Sequence, residues 1–154
     1  MTHLWGPSTW NLLHNLADKV REDKFDIIIP YVWSEIKTIC ANLPCKDCSN
    51  HAIKILSIIK IKNITNKELF KELIFKFHNT VNVRLKKEKE KIIILEKYKN
   101  IKLLETIFYV IKNWTIVMNN MSIHQFQDKT RISKSLENMK VCFRKNKHFF
   151  IDFE

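Results

Sequence analysis

Cys45 and Cys48 stand three residues apart in the run Leu43-Pro44-Cys45-Lys46-Asp47-Cys48-Ser49-Asn50-His51, with a proline directly before the first thiol. The residues that follow, Ala52-Ile53-Lys54-Ile55-Leu56, read as a helix. Two thiols at this spacing and at a helix start can close a small, reducible disulfide, and the positive end of the helix favours the thiolate. The same spacing also supplies half of a zinc site, and Cys40, Cys45, Cys48 and His51 together offer four ligands. Structural zinc sites usually join two ligand pairs from separate knuckles, whereas these four crowd around one helix start, so zinc is the weaker alternative. A thioredoxin-like context requires a strand before the motif and a βαβ unit around it. An amphipathic segment precedes it here, and the chain holds one glycine.

Two other places carry polar or aromatic groups at helical spacing. Trp10 and His14 are i,i+4 neighbours and can line one wall of a pocket. Taken alone, they read more readily as a core Trp beside a hydrogen-bonded His. His78, Asn82 and Leu85 fall at i, i+4 and i+7, which puts a His and an Asn on or beside an apolar face. Leaving such groups buried and unpaired costs about 1–3 kcal/mol each. A polar ligand or a solvated edge would satisfy them. A redox CxxC, a Trp/His face and a His/Asn face converging inside a helical bundle can hold a flat cofactor that accepts electrons from the disulfide.

The elements that must position these groups are helical. The chain has 154 residues, with one Gly and three Pro, too few turn residues for a β-rich fold and no glycine cluster for a Rossmann or P-loop site. Trp5-Gly6-Pro7-Ser8 reads as the opening of a first helix running from Thr9 to about Arg21, with Ser8 as its cap. Phe25 to Leu43 forms a second, with Cys40 on its apolar side as a buried, inert thiol. The CxxC opens a third, to about Ile61. Thr65-Asn66-Lys67-Glu68 matches a capping box before a fourth helix that reaches Lys87. Ile92-Ile93-Ile94-Leu95 has the composition of a strand but no partner, and a fifth helix is expected from Glu96 to Met118, with Tyr98 on its buried side. A basic helix from Lys129 to Lys145 carries Cys142, and Phe149, Phe150 and Phe153 make an aromatic end. Residues 1–118 are expected to form the functional domain, and residues 119–154 a basic extension whose role the residues do not disclose.

A formal net charge of +11 derives mostly from Lys. With little Arg for bidentate base contacts, a solvated lysine surface is expected rather than nucleic-acid binding. Neither a signal peptide nor an apolar run of membrane-spanning length is present, and a soluble, intracellular protein is expected.

Trp5-Gly6-Pro7-Ser8-Thr9-Trp10 with Leu13-His14, then Leu43-Pro44-Cys45-Lys46-Asp47-Cys48 with His51, then His78-Asn79-Thr80-Val81-Asn82 with Leu85 and Lys87, together resemble the FAD-linked sulfhydryl oxidases of the Erv/ALR family. The likeness is strongest to the short forms of large cytoplasmic DNA viruses and covers roughly residues 3 to 115. It implies an all-α fold: a four-helix bundle with a short fifth helix, holding FAD between the helices. Cys45 and Cys48 would be catalytic, with Cys45 exchanging with a substrate dithiol and Cys48 passing electrons to the flavin. Gly6, Trp10, His14, His51, His78, Asn79, Val81, Asn82, Leu85 and Lys87 match positions around the cofactor. The implied reaction turns protein dithiols and dioxygen into disulfides and hydrogen peroxide. A thioredoxin-like or virion protein is the implied substrate, a homodimer the implied assembly, and the host cytoplasm, virus factory or virion the implied location.

The chain departs from the family pattern in its remaining thiols. Many members carry an extra shuttle cysteine pair on a flexible tail, and often a second, structural disulfide near the C-terminus, whereas this chain has only Cys40 and Cys142 outside the active pair. They can form a disulfide, relay electrons or be unrelated thiols, and the last is favoured. A function of a different class stays open beside the oxidase: a basic helical binding protein that keeps the fold without the chemistry.

Overall fold

The structure, a computed structural model, describes residues 2–154. Among them every regular element is helical: α1 (Thr2–Lys19), α2 (Phe25–Ala41), α3 (Lys46–Ser57), α4 (Lys67–Arg84), α5 (Leu103–Asn119) and α6 (Phe126–Lys145), joined in part by short 3-10 turns. The expected all-α class is what forms. Three local readings differ, each for an identifiable reason.

Gly6 and Pro7 lie inside α1 rather than before it. Pro7 is the sixth residue of α1, so it removes one rung of the hydrogen-bond ladder, the one to His3 O, and the helix runs on through it. Ser8 is therefore not a cap. Its hydroxyl is buried and donates back to the carbonyls of Trp5 at 3.0 Å and Leu4 at 3.2 Å. At the start of α4 the cap is Asn66, whose Oδ1 accepts from Leu69 N–H at 2.9 Å, one residue beyond the Thr of the capping-box pattern. The stretch expected to start the fifth helix is instead a 3-10 helix, Ile92–Asn100, closed by extended Ile101, and Tyr98 belongs to it rather than to α5.

Helix α1 is the central element. Leu12, Leu13, Leu16, Ala17 and Val20 are buried, and α1 packs on α4 and α5. Three buried polar anchors fix its register. Thr9 Oγ1 donates to Trp5 O at 2.7 Å and accepts from Trp114 Nε1 of α5 at 2.9 Å. Asn15 Nδ2 reaches the carbonyls of Ile101 and Lys102 and Thr106 Oγ1. Lys19, about 1 % exposed, donates to Lys99 O at 3.0 Å and pairs with Asp18 at 3.1 Å. Losing one partner of a buried charge pair is costly, so this end of α1 fixes the loop ahead of α5 firmly.

The C-terminal residues pack into the same core. Ile132, Leu136, Met139 and Phe143 of α6 are buried in it. The tail then returns to the middle of the molecule: Ile151 N donates to Lys19 O, and the carbonyls of Asp152 and Phe153 accept from Leu103 and Leu104 at the start of α5. These bonds supply partners to amide groups that a helix start leaves unsatisfied.

Candidate active site

Pro44 ends the turn that follows α2, and Cys45 then takes an extended backbone as the N-cap of α3. Its Sγ accepts from Cys48 N–H at 3.2 Å and its carbonyl from Ser49 N–H at 3.0 Å. This geometry brings the two Cα atoms to 5.2 Å, and Cys45 and Cys48 form a disulfide. The bridge thus sits on the positive end of a helix, where a developing thiolate is stabilised.

Beside it lies a cavity of about 540 Å³, within the range that holds a cofactor-sized ligand. Its wall takes residues from several places in the chain: Gly6 and Trp10 of α1, Cys40 of α2 and Leu43 just after it, Cys48, His51 and Ala52 of α3, Phe77, His78, Val81 and Asn82 of α4, and Lys97 and Tyr98 of the 3-10 segment. Leu85 and Lys87 complete it at the end of α4. The sulfur of Cys48 belongs to a residue of this wall, whereas Cys45 does not border it.

The rings in the wall are ordered against one another. Trp10 and His78 stack with centroids 4.1 Å apart and planes 12° from parallel. His14 does not border the cavity. It lies one layer behind, its Nε2 3.0 Å from His78 Nδ1, and stacks on Tyr98, whose hydroxyl donates to Asn11 Oδ1. Burial, the neighbouring His78 and then Lys97 push the His14 pKa down to about 3. Burial, then Lys97 and Lys87, bring His78 to about 4. Both rings are therefore neutral at pH 7. His14 Nδ1 is buried without a partner, and a proton there would be an orphaned donor. The proton of His14 thus sits on Nε2 and is donated to His78 Nδ1. This leaves the proton of His78 on Nε2, the nitrogen available to a ligand.

Asn79 also stands outside the cavity wall. Its side chain clamps the following loop, with Nδ2 donating to Glu90 O at 3.2 Å and Glu90 N–H donating to Oδ1 at 2.7 Å. Asn82 Nδ2 holds Glu88 O at 3.1 Å in the same manner while the residue lines the cavity. The two asparagines fold the loop after α4 back over the site, and this loop delivers Lys87. His51 is held below its ordinary pKa by partial burial and by repulsion from Arg84 and Lys54. Arg84, Lys87 and Lys97 border the cavity together with Glu88 and Glu90, which leaves a small positive excess on this side.

Gly6 supplies a separate test of whether the cavity fits a flat cofactor. A glycine within a helix costs roughly 1 kcal/mol relative to alanine. No positive φ requires one here, and a Cβ at Gly6 would meet no atom within 4 Å. The absence of a side chain leaves space in the cavity wall and serves no packing need. An open slot, a stacked Trp/His pair, an imidazole donor and three basic side chains fit an aromatic cofactor bearing phosphates.

A family model described as the Erv1 / Alr family matches residues 7–101, more than half of the chain. The chain belongs to the Erv1/Alr family. An FAD-linked sulfhydryl oxidase of African swine fever virus (isolate Pig/Kenya/KEN-50/1950) is 36% identical over 113 residues, covering 68% of this chain and 87% of the viral protein. The same figures hold for the FAD-linked sulfhydryl oxidase of the isolate Warthog/Namibia/Wart80/1980. A protein of Invertebrate iridescent virus 6 named for the same activity is 36% identical over 91 residues, 55% of this chain and 82% of its own length. No solved structure matches the chain.

Several lining residues were not singled out from the sequence. Tyr98 and Lys97 lie on a segment with no motif, and nothing in a lysine-rich chain distinguishes Lys97 from its neighbours. Cys40 also borders the cavity, from α2, as a free thiol pushed up to about 12 by burial. Cys142 faces a separate small crevice with Glu35 and Asn146; burial and then the Glu35 carboxylate push it up to about 11. Cys40 and Cys142 do not form a disulfide.

Proposed function

We propose that this chain is an FAD-dependent thiol oxidase that makes disulfides in protein substrates and passes the electrons through Cys45 and Cys48 to FAD and then to dioxygen. The observation that carries this reading is the asymmetry of the disulfide. Cys48 borders the cavity, Cys45 does not, and a disulfide joins the two.

A substrate thiolate attacks Sγ of Cys45, the S–S bond to Cys48 breaks, and Cys48 leaves as a thiolate at the cavity wall. The start of α3 stabilises that leaving group. The second substrate thiol then displaces Cys45, so the substrate gains a disulfide and the enzyme holds a dithiol. FAD supplies the two-electron chemistry: acceptance from the reduced pair and reoxidation by dioxygen, with hydrogen peroxide as product. Trp10 and His78 provide a flat wall for its rings, Gly6 leaves room, and His78 Nε2–H and the Asn82 amide give polar contacts. Lys87, Lys97 and Arg84 hold its phosphates. His14 and Asn79 act behind this layer, fixing the proton on His78 and the loop carrying Lys87.

Exposed Ile27 and Tyr31 on α2 support a homodimer, checked by light scattering of the purified protein. No described helix is long and apolar enough to cross a membrane. The purified protein is expected to be yellow, with flavin absorbance, and to consume dioxygen when given a small dithiol. A colourless protein without such turnover contradicts the reading.

A further inference from the structure

Helix α2 stops at Ala41, and Asn42, Leu43 and Pro44 carry the chain to Cys45. The Leu43 carbonyl lies beyond α2, and Pro44 brings no N–H to the turn. Its donor comes from the far end of the chain. Arg131 of α6 donates through Nη1 to Leu43 O at 3.1 Å and through Nη2 to Asp128 Oδ1 at 3.1 Å. Two arms of one planar guanidinium are thus fixed together. Leu43 is a buried residue whose side chain borders the cavity shared with Cys48. One residue, two positions before Cys45, is therefore held between the cavity on one side and α6 on the other. Residue 131 lies outside the segment matched by the family model.

We propose that Arg131 is a positioning residue for the Cys45–Cys48 pair, and that through it the C-terminal helix is a working part of the redox site. The proposal rests on the redox reading of that pair. Its content is mechanical. Asp128 offsets the charge of Arg131, so the guanidinium contributes a fixed peptide more than an electric field. Anchoring Leu43 limits the freedom of residues 43–45, and so keeps Cys45 Sγ close to Cys48 Sγ when both are thiols. A closely held thiol pair has a high effective concentration and re-forms its disulfide readily.

The test is an anaerobic equilibration of the purified protein, cofactor included, with glutathione and its disulfide. Two glutathione thiols reduce the Cys45–Cys48 bond to two thiols and become one oxidised glutathione. The reduced fraction is read by alkylation and mass measurement. For Arg131→Met the equilibrium constant for reduction is expected to rise about five-fold as one charge-assisted hydrogen bond is lost. Asp128→Asn keeps the bond to Leu43 and is expected to stay within about two-fold of wild type. If the charge of Arg131 were what mattered, the opposite pattern would result, because a lost cation disfavours thiolates: a fall for Arg131→Met and a rise for Asp128→Asn. That pattern, or no change in Arg131→Met, overturns the proposal. Should Arg131→Met not fold, Arg131→Lys keeps the charge without the two-armed geometry. It is expected to rise about two-fold, and an unchanged constant contradicts positioning. Oxygen turnover of the wild type, measured separately, tests the oxidase reading and is independent of these ratios.

Discussion

Two pairs of cysteines in this chain have opposite surroundings. Cys45 and Cys48 open a helix, bonded to each other, with Cys48 bordering a cavity that Cys45 does not border. Cys40 and Cys142 lie within helices, unbonded, with thiols pushed up to about 12 and about 11. Residue type is the same in all four. Placement decides the chemistry: a helix start gives a thiolate unpaired amide groups, whereas burial removes the water a thiolate needs around Cys40, and burial together with the Glu35 carboxylate disfavours one at Cys142. Cys40 sharpens the contrast, since it borders the same cavity as Cys48 and still lacks a bonded partner.

The comparison can be broken or sharpened by substitution. Cys48→Ser carries the largest expected effect, a loss of at least about 100-fold in dithiol-dependent oxygen consumption, because the cavity-side sulfur has no substitute. His78→Ala comes next. It removes both the stacking partner of Trp10 and the imidazole donor, and FAD affinity measured by flavin fluorescence is expected to fall about 10-fold. Cys40→Ala is expected to cost about 1 kcal/mol in denaturant unfolding and to leave turnover within about two-fold, as befits a packing residue. If its turnover fell like that of Cys48→Ser, the thiols could not be divided in this way.

The smallest effect concerns Cys142. Its raised pKa means that the protonated thiol predominates throughout the neutral range and the thiolate fraction grows as pH rises toward about 11. Alkylation of Cys142 in the folded protein is expected to be slow at pH 8 and to quicken about ten-fold per pH unit above it. Rapid alkylation at pH 7 would show a thiol unlike the one described here.

Much of the site is legible in the sequence because its key spacings are short. Cys45 caps the helix that carries Cys48, and His78 and Asn82 lie four apart within α4, so short-range spacing fixes both pairs. Long-range partnerships leave no such pattern. Tyr98 reaches its place through a 3-10 segment that reads as part of a helix, and Arg131 meets Leu43 across 88 positions of sequence. His14 and Asn79 show a subtler limit: their motifs are as expected, yet both stand one layer back from the cavity, where helical spacing alone does not separate a wall from its support. Gly6-Pro7 misleads locally, since α1 begins before these residues and runs on through them at the cost of one ladder bond.

The route of the electrons can be followed by flavin absorbance when a small dithiol is added without oxygen. The wild type is expected to bleach within its turnover time, while Cys48→Ser keeps both its yellow colour and its oxidised spectrum, showing cofactor bound but cut off from the thiols. Bleaching of Cys48→Ser at the wild-type rate would contradict the central claim that Cys48 links the substrate-facing sulfur to the cofactor.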